Sequence, residues 1–193
     1  MAIFTHRSSD IEYEYQQGTN QQTIVLFHPH PLYEGTMMNK VITTSSMAAK
    51  QLGYGFLRFN FTGVGRSSGH FGFGLYEAEQ ALALMTGLVH EPIKYLVGFS
   101  FGCNVIQYLW QKQSEQTPSI WIGASINQAL SSQAELATLK GMIHGEQDKL
   151  CLFEEASCFA KSHNVPMHGI ADADHFFNGQ QIALRETLKM LMA

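Results

Sequence analysis

Five residues, Gly98-Phe99-Ser100-Phe101-Gly102, constrain this chain more than any others. They read G-x-S-x-G and directly follow the apolar run Tyr95-Leu96-Val97, which has the character of a buried strand. Beyond them Val105, Ile106, Leu109 and Trp110 recur at helical spacing on one face. A serine between such a strand and such a helix stands on a sharp turn, and side chains flanking that turn would collide with it. Glycine at 98 and 102 removes those side chains. The turn lifts the serine hydroxyl above the carboxyl end of the sheet, with the first amides of the helix pointing toward it. Ser100 is thus a candidate nucleophile, and a nucleophile requires partners elsewhere in the chain.

The surrounding sequence alternates strand and helix patterns. Ile11–Tyr15 reads as an edge strand, and Thr23–Phe27, Gly55–Phe61, Tyr95–Phe99, Ile120–Ile126 and Met142–His144 as further strands, with Met167–Ile170 extended. Helix faces are marked by Val41, Ser45, Ala48 and Leu52, by Leu82, Met85, Leu88 and Val89, across Phe153–Lys161, and by Leu184, Leu188 and Leu191. This alternation predicts an α/β fold: a mostly parallel sheet of about seven strands with helices on both faces, as one domain over residues 1–193. Active groups in such folds gather in loops at the carboxyl ends of strands.

A serine hydroxyl needs a base to take its proton, and the base needs a carboxylate to fix its tautomer. His175 follows the late extended segment and the polar loop Ala171–Asp174. Asp148 lies in His144-Gly145-Glu146-Gln147-Asp148, just after a strand. The order Ser100, Asp148, His175 suits a triad on this kind of sheet. Glu146 is the local rival for the acid. Asp172 and Asp174 are nearer to His175 in sequence, but a carboxylate so close to the histidine usually points elsewhere, so Asp148 is preferred.

Attack on a carbonyl also calls for two amides to meet the oxyanion. The Phe101 amide is one. The other is expected from the loop His28-Pro29-His30-Pro31-Leu32-Tyr33-Glu34-Gly35, where the prolines have no N–H; His30 is preferred and Leu32 remains open. Tyr33 and Glu34 in the same loop are candidates for contacting substrate. His28 and His30 lack a third ligand at metal-binding spacing, so no metal is expected, and His28 is read as bonding to loop backbone. Asn60–Gly69 contains G-x-G after a strand, but Ser68 stands where a dinucleotide fingerprint requires glycine. A tight loop beside the cleft explains these glycines, and no cofactor is expected.

Composition narrows the classes further. A formal charge of −4 offers no attraction to nucleic acid or anionic membrane. Three cysteines (Cys103, Cys151, Cys158) fit no zinc or haem spacing and suit a reducing compartment. No run reaches spanning length, and Met1–Asp10 has no apolar signal core, so a cytoplasmic protein is expected.

With these pieces in place the chain resembles the α/β-hydrolase superfamily, and more narrowly its small, lidless bacterial members near the dienelactone hydrolases. The resemblance runs from about Thr23 to the C-terminus. It rests on His28–Tyr33, on Leu57–Phe61 with Gly63–Ser67, on Gly98–Gly102, on His144–Asp148 and on Asp174–Phe177. It implies a minimal fold without a lid domain, a triad at Ser100, Asp148 and His175, and an oxyanion hole at Phe101 and His30, since relatives with an H-G-x-P loop use the amide at x. Glu34, where such proteins often carry glycine, departs from the pattern and bears on substrate preference. The expected activity is hydrolysis of a small ester or related acyl compound through an acyl-enzyme. Alternatives are thioesterase or peptidase action on the same triad, or a non-catalytic small-molecule binding protein. A homodimer is open. Substrate selection is expected to depend on loops around Glu34, at 70–75 and at 127–140. Phe71, Phe73 and Tyr76 either line an acyl pocket or, the preferred reading, pack against neighbouring helices.

Overall fold

The structure, a computed structural model, describes residues 1–113, 115–126 and 136–193. Of the loop at 127–140, residues 127–135 lie outside the described residues. Eight strands form one sheet: β1 (Ala2–His6), β2 (Ser9–Gln16), β3 (Thr23–Phe27), β4 (Gly55–Phe59), β5 (Ile93–Phe99), β6 (Ser119–Ile122), β7 (Leu139–Gly145) and β8 (Met167–Ile170). Their spatial order is β1-β2-β4-β3-β5-β6-β7-β8. β1 and β2 pair antiparallel, as do β2 and β4, and every other pairing is parallel.

The helices are α1 (Lys40–Gln51), α2 (Leu75–Leu88), α3 (Phe101–Trp110), α4 (Phe153–Ser162) and α5 (Gln181–Met192). Strands buried on both faces alternate their side chains between two cores. On β3, Val25 and Phe27 join a core with α2, α3 and α4, while Ile24 and Leu26 join one with α1 and α5. The amphipathic spacing read for α3 is met in full: Val105, Ile106, Leu109 and Trp110 are all buried.

The strand count exceeds the expected seven because the segment before Ile11 also pairs. β1 lies outside β2, and Arg7 and Ser8 make the connection at φ 46° and 66°. Tight hairpin turns of this sort usually carry Asn or Gly there, so the hairpin left no signature.

The chain places β4 on one side of β3 and β5 on the other. The strand order therefore reverses between β3 and β5, the point where a crevice opens at the carboxyl ends of such sheets. Phe27 at the end of β3 pairs with Gly98 in β5. The loop from His28 and the turn at Ser100 therefore leave the sheet side by side.

Candidate active site

Ser100 caps the N-terminus of α3 at φ 52° and ψ −118°. A residue with a β-carbon is held there only at a cost of about 1–3 kcal/mol. The constraint comes from both sides of the turn: the Ser100 N–H donates to the Ile122 carbonyl (2.8 Å), and the Cys103 N–H donates to the Ser100 carbonyl (3.0 Å). A β-carbon at Gly102 would lie 2.2 Å from the Phe27 carbonyl oxygen, and one at Gly98 would lie 2.7 Å from the Cys103 nitrogen. The glycines of the motif are there because helix and strand backbones meet.

Asp148 follows β7 by three residues, and His175 follows β8 by five. They meet: His175 Nδ1 donates to Asp148 Oδ2 at 2.6 Å, with both residues almost fully buried. The loop carrying His175 crosses the end of β7 so closely that a β-carbon at Gly145 would lie 2.4 Å from the Ala173 carbonyl oxygen. Asp148 Oδ1 accepts from the Leu150 and Cys151 N–H groups at 2.8 and 2.9 Å. Burial pushes the Asp148 carboxyl up, but hydrogen bonds from His144, His175 and the Cys151 N–H outweigh it and hold the group below the usual carboxylate range. Glu146 is exposed, and Asp174 instead accepts from the Phe176 and Asn178 N–H groups, both at 3.0 Å.

His144, passed over in the sequence as a strand residue, is a second imidazole at this carboxylate. Its Nε2 lies 2.6 Å from the Cys151 carbonyl oxygen and 3.3 Å from Asp148 Oδ2. Both neighbours only accept, so Nε2 carries the hydrogen.

On the β3 side, the His30 imidazole accepts the Leu32 N–H (3.2 Å), and the His30 carbonyl accepts from Tyr33 and Gly35. The Leu32 amide is thereby engaged. The His30 and Phe101 N–H groups have no protein acceptor among the described residues. His28 behaves as read: buried, its Nδ1 donates to the Pro29 carbonyl (2.6 Å) and its Nε2 accepts the Phe61 N–H (2.9 Å). Neither nitrogen has a lone pair to offer a metal. Burial lowers its pKa to about 3, against a smaller upward pull from the Pro29 carbonyl. Among the described residues, no group of three His, Cys, Asp or Glu side chains is placed to hold a metal ion.

One cavity of about 360 Å³ joins Ser100, His175, His30, Phe101 and Tyr33. Ser100 and His175 face it without a hydrogen bond between their side chains. Glu34 does not line it; as the C-cap of the short 3₁₀ turn Pro31–Tyr33 at φ 60°, it is exposed to solvent. The rest of the wall includes Asn104, Ser125, Leu150, Cys151 and Phe176. Sequence reasoning missed these because tertiary contact assembles them and no motif marks them. Phe71 and Tyr76 line a different cavity. Phe71 packs its ring on His30 (4.7 Å between centroids) and Phe101 (5.4 Å), whereas Phe73 and Tyr76 are exposed. The glycine-rich loop serves as internal bracing: Glu12 accepts from Asn60 Nδ2 (2.8 Å) and from the Arg66 backbone N–H (3.0 Å) and Nε (2.9 Å).

No family model matches the chain. An uncharacterized protein of Rickettsia prowazekii (strain Madrid E) is 35% identical over 123 residues, 61% of this chain, and the chain spans about half (52%) of that curated relative's length. An α/β serine hydrolase homologue from Coxiella burnetii aligns over 100% of this chain and 96% of its own, with 28% identity and a TM-score of 0.83. A serine hydrolase without a lid from Xanthomonas campestris aligns over 95% of this chain and 87% of its own, at 24% identity and a TM-score of 0.78. The chain belongs to the α/β-hydrolase superfamily. Within it, the chain is similar to the small serine hydrolase homologues, lidless ones included. No helix among the described residues is long and apolar enough to cross a membrane.

Proposed function

We propose that this chain is a serine hydrolase that cleaves a small, uncharged carboxylic ester or related acyl compound. The observation that carries the reading is the 2.6 Å contact of His175 Nδ1 with Asp148, opening onto one cavity with a strained serine and two backbone N–H groups that lack protein acceptors among the described residues. Asp148 accepts from Nδ1, so the Nε2 of His175 carries the lone pair and acts as the base. Nε2 takes the Ser100 proton as Oγ bonds to the carbonyl carbon, and the oxyanion accepts from the His30 and Phe101 amides. The tetrahedral adduct collapses, the C–O bond to the leaving group breaks, and His175 returns its proton to the departing alkoxide. Water repeats the sequence on the acyl-serine and frees the acid.

The described wall of the cavity has no Asp, Glu, Lys or Arg, so a charged acyl group would lose its hydration without a partner. Substrates with short neutral acyl chains fit this wall. The test is a fluorophosphonate probe followed by peptide mass analysis. The expected result is one adduct, on the peptide containing Ser100, blocked by prior incubation with a neutral short-chain ester. A protein that takes no adduct at Ser100 contradicts the proposal.

A further inference from the structure

We propose that His144 is a positioning residue of the triad: it holds Asp148, and the turn from Asp148 to Cys151, in the orientation that receives His175. The inference rests on the serine-hydrolase reading and deepens it. A carboxylate offers about four lone-pair sites, and four N–H groups converge on Asp148. Those of Leu150 and Cys151 meet Oδ1 at 2.8 and 2.9 Å, and the imidazoles of His175 and His144 meet Oδ2 at 2.6 and 3.3 Å. Leu150, Cys151 and His175 stand on loops. His144 lies within β7, is fully buried, and packs its ring against Phe153 at 6.3 Å between centroids. Among these donors it is the one fixed by the sheet.

The Nε2–H of His144 acts on Asp148 twice. It donates to the Cys151 carbonyl at 2.6 Å, which fixes the residue whose own N–H holds Oδ1, and it stands 3.3 Å from Oδ2 itself. With both oxygens held, rotation of the carboxylate about its Cβ–Cγ bond is opposed, and Oδ2 stays aimed at His175 Nδ1. The opposite ring nitrogen, Nδ1 of His144, is buried and has no hydrogen-bond partner among the described residues. An unpaired buried nitrogen costs stability that an apolar side chain of similar size would not. Filling the core does not call for an imidazole here, whereas the Nε2 contacts do. A misaimed carboxylate would leave His175 free to turn or to take the wrong tautomer. Since His144 does not line the cavity, that loss falls on the chemical step and not on substrate binding.

The test is steady-state kinetics of three variants on p-nitrophenyl acetate, with far-UV circular dichroism showing each folded. His144→Leu fills the space without a donor. It should lower kcat by about tenfold to a hundredfold and leave KM within about twofold. His144→Gln carries its amide N–H as far from Cα as the imidazole Nε2, and should restore most of the loss. His144→Asn, a methylene shorter, falls short of that place and should resemble His144→Leu. In an Asp148→Asn background, His144→Leu should lower kcat by no more than about twofold further, since the group it positions is gone. Unchanged kcat in His144→Leu overturns the proposal. So does a loss of the same factor in the Asp148→Asn background, which a merely structural role would give, and so do equal rates for His144→Gln and His144→Asn. If His144→Leu does not fold, the Gln and Asn pair decides. Fluorophosphonate labelling at Ser100 separates this inference from the one beneath it. A wild-type protein that takes no adduct overturns both, whereas a labelled wild type with unchanged kcat in His144→Leu overturns this one alone.

Discussion

Gly102 leaves no space for a β-carbon, whose nearest neighbour would be a carbonyl oxygen 2.2 Å away. Gly102→Ala should therefore cost about 3 kcal/mol or more in stability, read by urea unfolding, because backbone and not a movable side chain must give way. At Asp148 the prediction concerns rate. Asp148→Asn should lower kcat by about four orders of magnitude while the fold persists, since the amide no longer holds the productive tautomer of His175. Two residues also set the response to acid. The folded pKa of His28 is about 3, below the unfolded value of about 6.5. Its contribution is present above about pH 6.5 and drains as the pH falls toward 3, at up to about 1.4 kcal/mol per pH unit. Asp148 is likewise depressed, so its contribution is full above the unfolded value near 3.9 and is lost only as the pH falls through the folded one. Urea unfolding midpoints should thus decline with pH beginning above the carboxylate range, and His28→Gln should flatten the upper part of that decline.

Elements that bury a regular face left clear traces in the sequence. The α3 stripe and the runs of β3 and β5 are period signals, and the structure follows them. Ser100, Asp148 and His175 could be named as candidates for the same reason: each lies just past a recognisable strand, and the proposed chemistry admits few residue types. The β1–β2 turn was hidden because Arg7 and Ser8 adopt positive φ without the residues that advertise it. Glu34 misled, since its place four residues after His30 says nothing of a left-handed turn that leaves it in solvent. The buried carboxylate in the first turn of α2 was also hidden. Glu77 reads as a surface charge, yet it is fully buried, accepting from Thr62 Oγ1 and from the Gly72 and Gly74 N–H groups, both at 2.8 Å. Glu77→Ala should leave all three donors unpaired, costing about 3 kcal/mol or more by urea unfolding. It should also loosen the loop that seats Phe71 against His30, so activity should fall along with stability.

Across the whole molecule, one sheet aligns three strand ends so that residues far apart in sequence share one cavity, and the absence of charge on its described wall sets the expected specificity. Hydrolysis of neutral p-nitrophenyl esters should fall as the acyl chain outgrows a cavity of about 360 Å³, and an ester with a carboxylate on its acyl chain should react more slowly than its neutral counterpart of equal length. The central claim is that Ser100 is the nucleophile. Its most direct test is the initial rate on p-nitrophenyl acetate for the wild-type protein and for Ser100→Ala, with matched far-UV circular dichroism showing both folded. The account predicts turnover in the wild type and a loss of about 10⁴-fold or more in the variant. A Ser100→Ala protein that hydrolyses the ester at the wild-type rate would contradict it.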